Sequence, residues 1–177
     1  MSLKGCIIAV LLLLKGLEHD PTCWDSRFMT EGEFHDLLID QTKVITVDIS
    51  WTSDLEHPLW VNFKAPIESS SGWPIFLKGS FNLQTQALSF TIIHKPAGRI
   101  YALDLGKGHQ NPDLTKLGDK HKHRWTLAYK DKEAYVPADI TFDGSEPLEV
   151  WQQFCTEAKI IHNGTFDRPP ATQRVLI

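Results

Sequence analysis

From Val44 to Val136 the chain alternates apolar and polar residues in short runs, and the connections between runs leave no room for crossover helices. Parallel neighbours need such crossovers, whereas antiparallel neighbours need only turns, so the spacing predicts a largely antiparallel meander. The predicted strands cover residues 44–51, 59–63, 75–81, 88–94, 99–105, 124–130 and 133–136. Turn residues punctuate them: Pro66, the 69–72 cluster and Pro74, then 82–87, then 95–98. In the first run Ile45, Val47, Ile49 and Trp51 fall on one face.

A helix signal stands at each end of the meander. After Met29, Thr30 is an N-cap type, Glu33 completes a capping box, and Phe34, Leu37 and Leu38 follow at i, i+3, i+4, with an end near Gln41. Near the C-terminus Ser145 is the N-cap candidate and Pro147 suits the first turn. Leu148, Trp151, Gln152, Cys155 and Ala158 then keep helical spacing as far as Asn163-Gly164. The expected fold is α+β: an N-terminal helix, a six- or seven-stranded mainly antiparallel sheet, and a C-terminal helix packed on the same face of it. With 177 residues, 42% of them hydrophobic, one core can be built without staples. A single domain is expected over 29–166, with 167–177 a loosely held tail.

Residues 1–28 differ from the rest. They hold an apolar run of about ten residues between Lys4 and Lys15, too short for the ~20 residues that cross a bilayer. A secretory signal would share its basic start and apolar core but needs a small-x-small cleavage site, which is missing. The expectation is an N-terminal extension ahead of a start at Met29 and a cytoplasmic protein, with secretion as the alternative. Cys6, Cys23 and Cys155 are odd in number and lack C-x-x-C spacing, so they make neither a disulfide framework nor a cysteine zinc site. Cys155, on the apolar stripe of the second helix, is expected to be buried and inert.

Charge is segregated. Between Lys95 and Lys132 nine Lys and Arg face four Asp, a local +5 in a chain of net charge -4, which leaves -9 elsewhere. Such a basic segment suits RNA or another anionic partner, although a solvated loop would carry the same lysines. Four of the eight histidines, His94, His109, His121 and His123, lie in or beside it. If His121-Lys122-His123 enters a strand, both imidazoles project from one face and Lys122 from the other. Paired histidines can serve as acid and base in phosphodiester cleavage, or with His109 and Asp104 they can ligate a divalent metal. His109 opens a strong turn signal, Asn111-Pro112-Asp113.

The order Tyr101-Ala-x-Asp104, His109-x-Asn111-Pro112-Asp113, His121-x-His123-x-Trp125, Asp131-Lys132-x-Ala134-Tyr135-x-Pro137 and a helical Cys155 resembles an uncharacterised small bacterial family known only as a domain of unknown function. The resemblance covers about 29–161 and implies a start at Met29, but no activity. Leu114 and Thr156 stand where the family pattern has Gly and Asn, so the turn and the helix end are expected to differ there.

Three functions remain open. In the leading one the chain is a small metal-independent ribonuclease, with His109, His121 and His123 as acid–base residues and no cofactor required. Lys107, Lys120, Lys122 and Arg124 would bind phosphate, Asn111 and Asp113 would position the loop, and Tyr101 would join the substrate side. In the second the basic rim binds nucleic acid or an acidic protein without catalysis. In the third His109, His121, His123 and Asp104 hold the divalent metal of a hydrolase. Of the six tryptophans, Trp51, Trp60, Trp125 and Trp151 fit core positions, and Trp73 beside Pro74 is the exposed candidate for base stacking.

Overall fold

A computed structural model describes residues 29–171, and its first element is set by the expected capping box. In α1 (Glu31–Ile39) the Thr30 hydroxyl accepts from Glu33 N and the Glu33 carboxylate accepts from Thr30 N. Its last turn carries no basic residue, and the end is closed instead by Lys43, whose Nζ donates to the carbonyls of Leu37, Leu38 and Asp40. Burial pushes the Lys43 ammonium down to about 8. The expectations for residues 1–28 and for 172–177 lie outside the described residues. Among the described residues no helix is long and apolar enough to cross a membrane.

Residues 44–51 do not form the single strand that their alternation predicts. Only β1 (Lys43–Ile45) is a strand there, and its neighbour is β11 (Ile160–His162), in parallel, outside the main sheet. Ile49 adds one parallel bridge to Phe166, and the chain enters the main sheet at β2 (Thr52–Ser53). Ile45 and Ile49 are buried as the pattern requires, whereas Val47 is 39% exposed. Alternation fixes which residues share a face but does not name the strand that pairs with them.

The meander follows as β3 (Trp60–Ile67), β4 (Ile75–Asn82), β5 (Leu88–His94) and β6 (Gly98–Leu105), then β9 (Lys120–Thr126) and β10 (Lys130–Tyr135). With β2 these make a seven-stranded antiparallel sheet of order β10-β9-β6-β5-β4-β3-β2. A small hairpin, β7 (His109–Gln110) and β8 (Lys116–Leu117), interrupts the path from β6 to β9. The fold is α+β, with the strand count at the upper expectation.

Three boundaries differ from the sequence reading. Pro66 is not a turn but lies inside β3, paired with Phe76; on its outer side β2 reaches only Asn62 and Val61 and β1 bridges only Glu68 through Val44, so no ladder bond is asked of the N–H that Pro66 lacks. The last two strands start earlier than predicted, because the chain turns at 127–129 and Lys130 enters β10 at φ 56°. The second helix, α2 (Pro147–Glu157), is preceded by Glu146 as N-cap, since the Ser145 hydroxyl donates to Asp143 instead. It stops well before Asn163: Lys159 takes φ 54° and the chain leaves as β11.

The α2 face packs on one side of the sheet. The Phe90 ring lies 5.2 Å from Trp151 and 5.5 Å from Phe154, and Tyr101 lies 5.9 Å from Phe154. Phe63 seats its ring on Gly79, where a Cβ would overlap it. Trp73 is also part of this core, which removes it as a stacking surface. Cys155 is buried, and burial pushes its thiol up.

The opposite side of the sheet is polar. Paired residues stand on the same face, so the register traces two rows across the strands. One runs Thr52, Asn62, Ser80, Ser89, Asp104, His121, and the other runs Lys64, Lys78, Thr91, Ala102, His123, Ala134.

Candidate functional site

Each row places a histidine on β9, and the β7–β8 hairpin supplies the third. Ring centroids of His109, His121 and His123 are 4.6 to 5.2 Å apart, and one ring nitrogen of each lies within 4.8 Å of the others. His121 and His123 are each 2% exposed and His109 is half-buried.

Backbone carbonyls aim these rings. His121 Nδ1 is 3.3 Å from Gly118 O, His123 Nδ1 is 3.0 Å from Asp131 O, and His109 Nε2 is 3.0 Å from Lys132 O. A carbonyl only accepts, so in each ring that nitrogen carries the hydrogen. In the neutral ring the second nitrogen then presents a lone pair, and for His121 and His123 that atom is Nε2.

Asp104 closes the group. Its Oδ2 is 3.2 Å from His123 Nε2 and 3.7 Å from His121 Nε2, while its Oδ1 accepts the Ser89 hydroxyl. Burial alone would raise this carboxyl, but hydrogen bonding to His121 and His123, which needs a hydrogen on Nε2 as well as Nδ1, together with the Ser89 hydroxyl and the charge of Lys107, outweighs it and holds it well below the usual carboxylate range. Lys107 Nζ lies 3.5 Å from Ser89 Oγ and 4.8 Å from the centre of the Trp60 ring.

Two irregularities of the sheet bring further groups to the cluster. In β6 the register shifts so that Ile92 faces Tyr101 and Ile93 faces Arg99, leaving Ile100 as the extra residue. Strict alternation would put Arg99 on the side of Tyr101, but the shift lets its Nη1 reach within 3.9 Å of Asp104 while Nε donates to Asp131 at 2.8 Å. In β10 the shift lies between Lys130 and Glu133, across the two residues whose carbonyls hold His123 and His109.

Asn111 fixes the hairpin. Its Nδ2 donates to Ala134 O at 2.9 Å and its Oδ1 accepts from Ala134 N at 2.8 Å, so the amide pairs with β10 as a backbone unit would. Asp113 acts within the turn, accepting from Thr115 N. The turn closes with Leu114 at φ 71°, a left-handed backbone that glycine adopts without strain. Leu114 is 73% exposed, so its side chain has little packing to offset that strain. Leu114→Gly is therefore expected to add about 0.5–1 kcal/mol, the strain relieved less the extra freedom of the unfolded chain. A urea midpoint that stays or falls would contradict this. At the second family departure Thr156 remains helical, its hydroxyl donating to Gln152 O at 2.8 Å.

The other sequence candidates do not join the cluster. Lys122 projects to the α2 side, where it is fully buried and pairs with Asp139 and, at 2.8 Å, with Glu157. Tyr101 is buried on that side too and donates to Glu157. Lys120 Nζ donates to Ile140 O, and Arg124 pairs with Glu133. Only Lys107 of the proposed phosphate ligands stands beside the histidines, so the basic segment is divided between the two faces. Ser89, Arg99 and Trp60 were missed; Ser89 could have been found from its place opposite Asp104 in a hairpin of fixed turn.

A family model, described as a family of unknown function (DUF6978), matches residues 29–160. The chain matches no curated protein and no solved structure. The matched span takes in both helices, the whole main sheet and every member of the histidine cluster, and the chain belongs to this family of unknown function, DUF6978.

Proposed function

We propose that this chain is a metal-dependent hydrolase of phosphodiester bonds, with His109, His121 and His123 as metal ligands and Asp104 as a fourth oxygen donor within reach. One observation carries the proposal: each imidazole spends one nitrogen on a backbone carbonyl, the arrangement that orients metal-binding histidines and fixes their tautomers. Imidazole with carboxylate suits zinc and neighbouring first-row ions. A divalent ion held by these residues would supply Lewis acidity and an activated water near neutral pH. Oδ2 is the Asp104 atom open for that fourth position, since Oδ1 is taken by Ser89. Lys107 and Arg99 bring positive charge to the same face, suited to an anionic ester.

A metal-free acid–base mechanism is favoured by one distance, the 3.2 Å between Asp104 Oδ2 and His123 Nε2, which is itself a hydrogen-bond length. Elemental analysis of protein purified without a histidine tag separates the two. Under the metal proposal about one divalent ion is found per chain, and hydrolysis of bis(p-nitrophenyl) phosphate stops with chelator and returns with zinc or manganese. No stoichiometric metal, together with turnover that ignores chelator, would sink the metal proposal in favour of the acid–base pair.

A further inference from the structure

The two polar rows continue well past the histidines. Lys64 and Lys78 stand directly opposite each other on β3 and β4, and both are exposed. Like charges in that position repel. Among the described residues neither meets a carboxylate at ion-pair distance; Lys64 lies instead 4.2 Å over the Phe76 ring. Around them lies a concave surface of about 570 Å³, where Phe63 and Gly79 form apolar floor and Thr52, Asn62, Ser80, Ser89 and Thr91 bring hydroxyls and an amide.

The lysines share the second row with His123. Three strand spacings separate β4 from β9 and four separate β3 from β9, roughly 14 and 19 Å at ~4.8 Å each. That is too far for one small phosphate ester to touch both lysines and the histidines. It suits a chain with negative charge repeated along it, laid across the strands.

We infer that the polar face between Lys64 and His123 binds a single-stranded polynucleotide, with Lys64 and Lys78 as a phosphate subsite remote from the bond that is cut. This rests on the proposal that the histidine centre acts on phosphodiesters. Charge complementarity selects the occupant: two unpaired cations, neutral hydrogen-bonding groups around them, and a positively flanked centre farther along the same face. The half-buried Trp60 ring, beside Lys107, offers a stacking surface at the margin.

The test is fluorescence anisotropy with a labelled twelve-residue oligouridylate, a matching oligothymidylate and a poly-glutamate peptide. It compares the full chain with the Lys64→Glu/Lys78→Glu double variant, and metal content is measured on the same samples. The variant is expected to bind the oligonucleotide at least tenfold more weakly, with the slope of log K against log salt reduced by about one to two and metal content unchanged. The milder Lys64→Gln/Lys78→Gln pair should follow in direction, which guards against misfolding of the reversed variant. Equal affinity of wild type and both variants, or equally tight binding of poly-glutamate, would overturn the inference. Lysine-dependent oligonucleotide binding by protein that holds no metal would instead leave this face standing and remove the metal centre. The ratio of uridylate to thymidylate affinity reports whether ribose hydroxyls are read.

Discussion

Lys122→Met is expected to cost about 2–4 kcal/mol of folding stability, although the lysine is flanked by two histidines of the candidate site. The ammonium is fully buried between Asp139 and Glu157, and Tyr101 donates to the same Glu157 carboxylate. Removing the cation leaves two carboxylates facing each other across a position that water reaches poorly. Their side chains are 40% and 30% exposed, so they can partly rehydrate, and the loss belongs at or below the ~3–5 kcal/mol of a fully buried broken pair. Chemical denaturation should show the midpoint falling at unchanged slope, while metal content of the folded protein stays the same. Lys64→Met, on the open face, should change the folding free energy by less than about 0.5 kcal/mol. A Lys122→Met protein as stable as wild type would mean that the ion pairs contribute nothing net. A variant that kept its stability but lost metal would place Lys122 in the histidine site after all.

The second large effect is on the metal. His121→Gln/His123→Gln is expected to lower metal content from about one ion per chain to under a tenth, and turnover with it. Glutamine keeps an N–H that can serve the carbonyls of Gly118 and Asp131, so the surrounding backbone loses little. It offers no comparable lone pair to the centre. The loss should exceed the roughly 10–100-fold that follows removal of a mere supporting contact. Circular dichroism on the same sample checks that the fold persists. Full metal content in the double variant would remove these two residues from the ligand set.

Much of this architecture could be read from local signals. The Thr30–Glu33 capping box, the β4–β5 and β5–β6 turns and the shared face of His121 and His123 follow from spacing alone, because each is decided within a few residues. Asp104 and His109 were grouped with those histidines on chemical grounds, and the register and the hairpin bring all four together. What could not be read depends on partners far along the chain. The strand period already turns Lys122 away from the histidines, but nothing near it in the sequence announces its partners Asp139 and Glu157, or that Lys107 reaches the polar face. Residues 43–45 pair with a strand more than a hundred positions later, and nothing in their alternation distinguishes that from joining the meander. The shift that turns Arg99 toward Asp104 is a single inserted residue, Ile100, and an apolar residue in a strand carries no mark of being extra.

The amide clamp of Asn111 on Ala134 has a bearing on how copies of this protein behave together. A terminal strand with free N–H and C=O groups is a template for another chain, and the sheet has two such margins. At one of them, Asn111 and His109 occupy groups of β10 that a second molecule would otherwise bind. At the other, β2 is two residues long and β3 carries Pro66, which has no N–H to offer. The contact that carries the third imidazole to its place thus also guards the molecule against edge-to-edge aggregation.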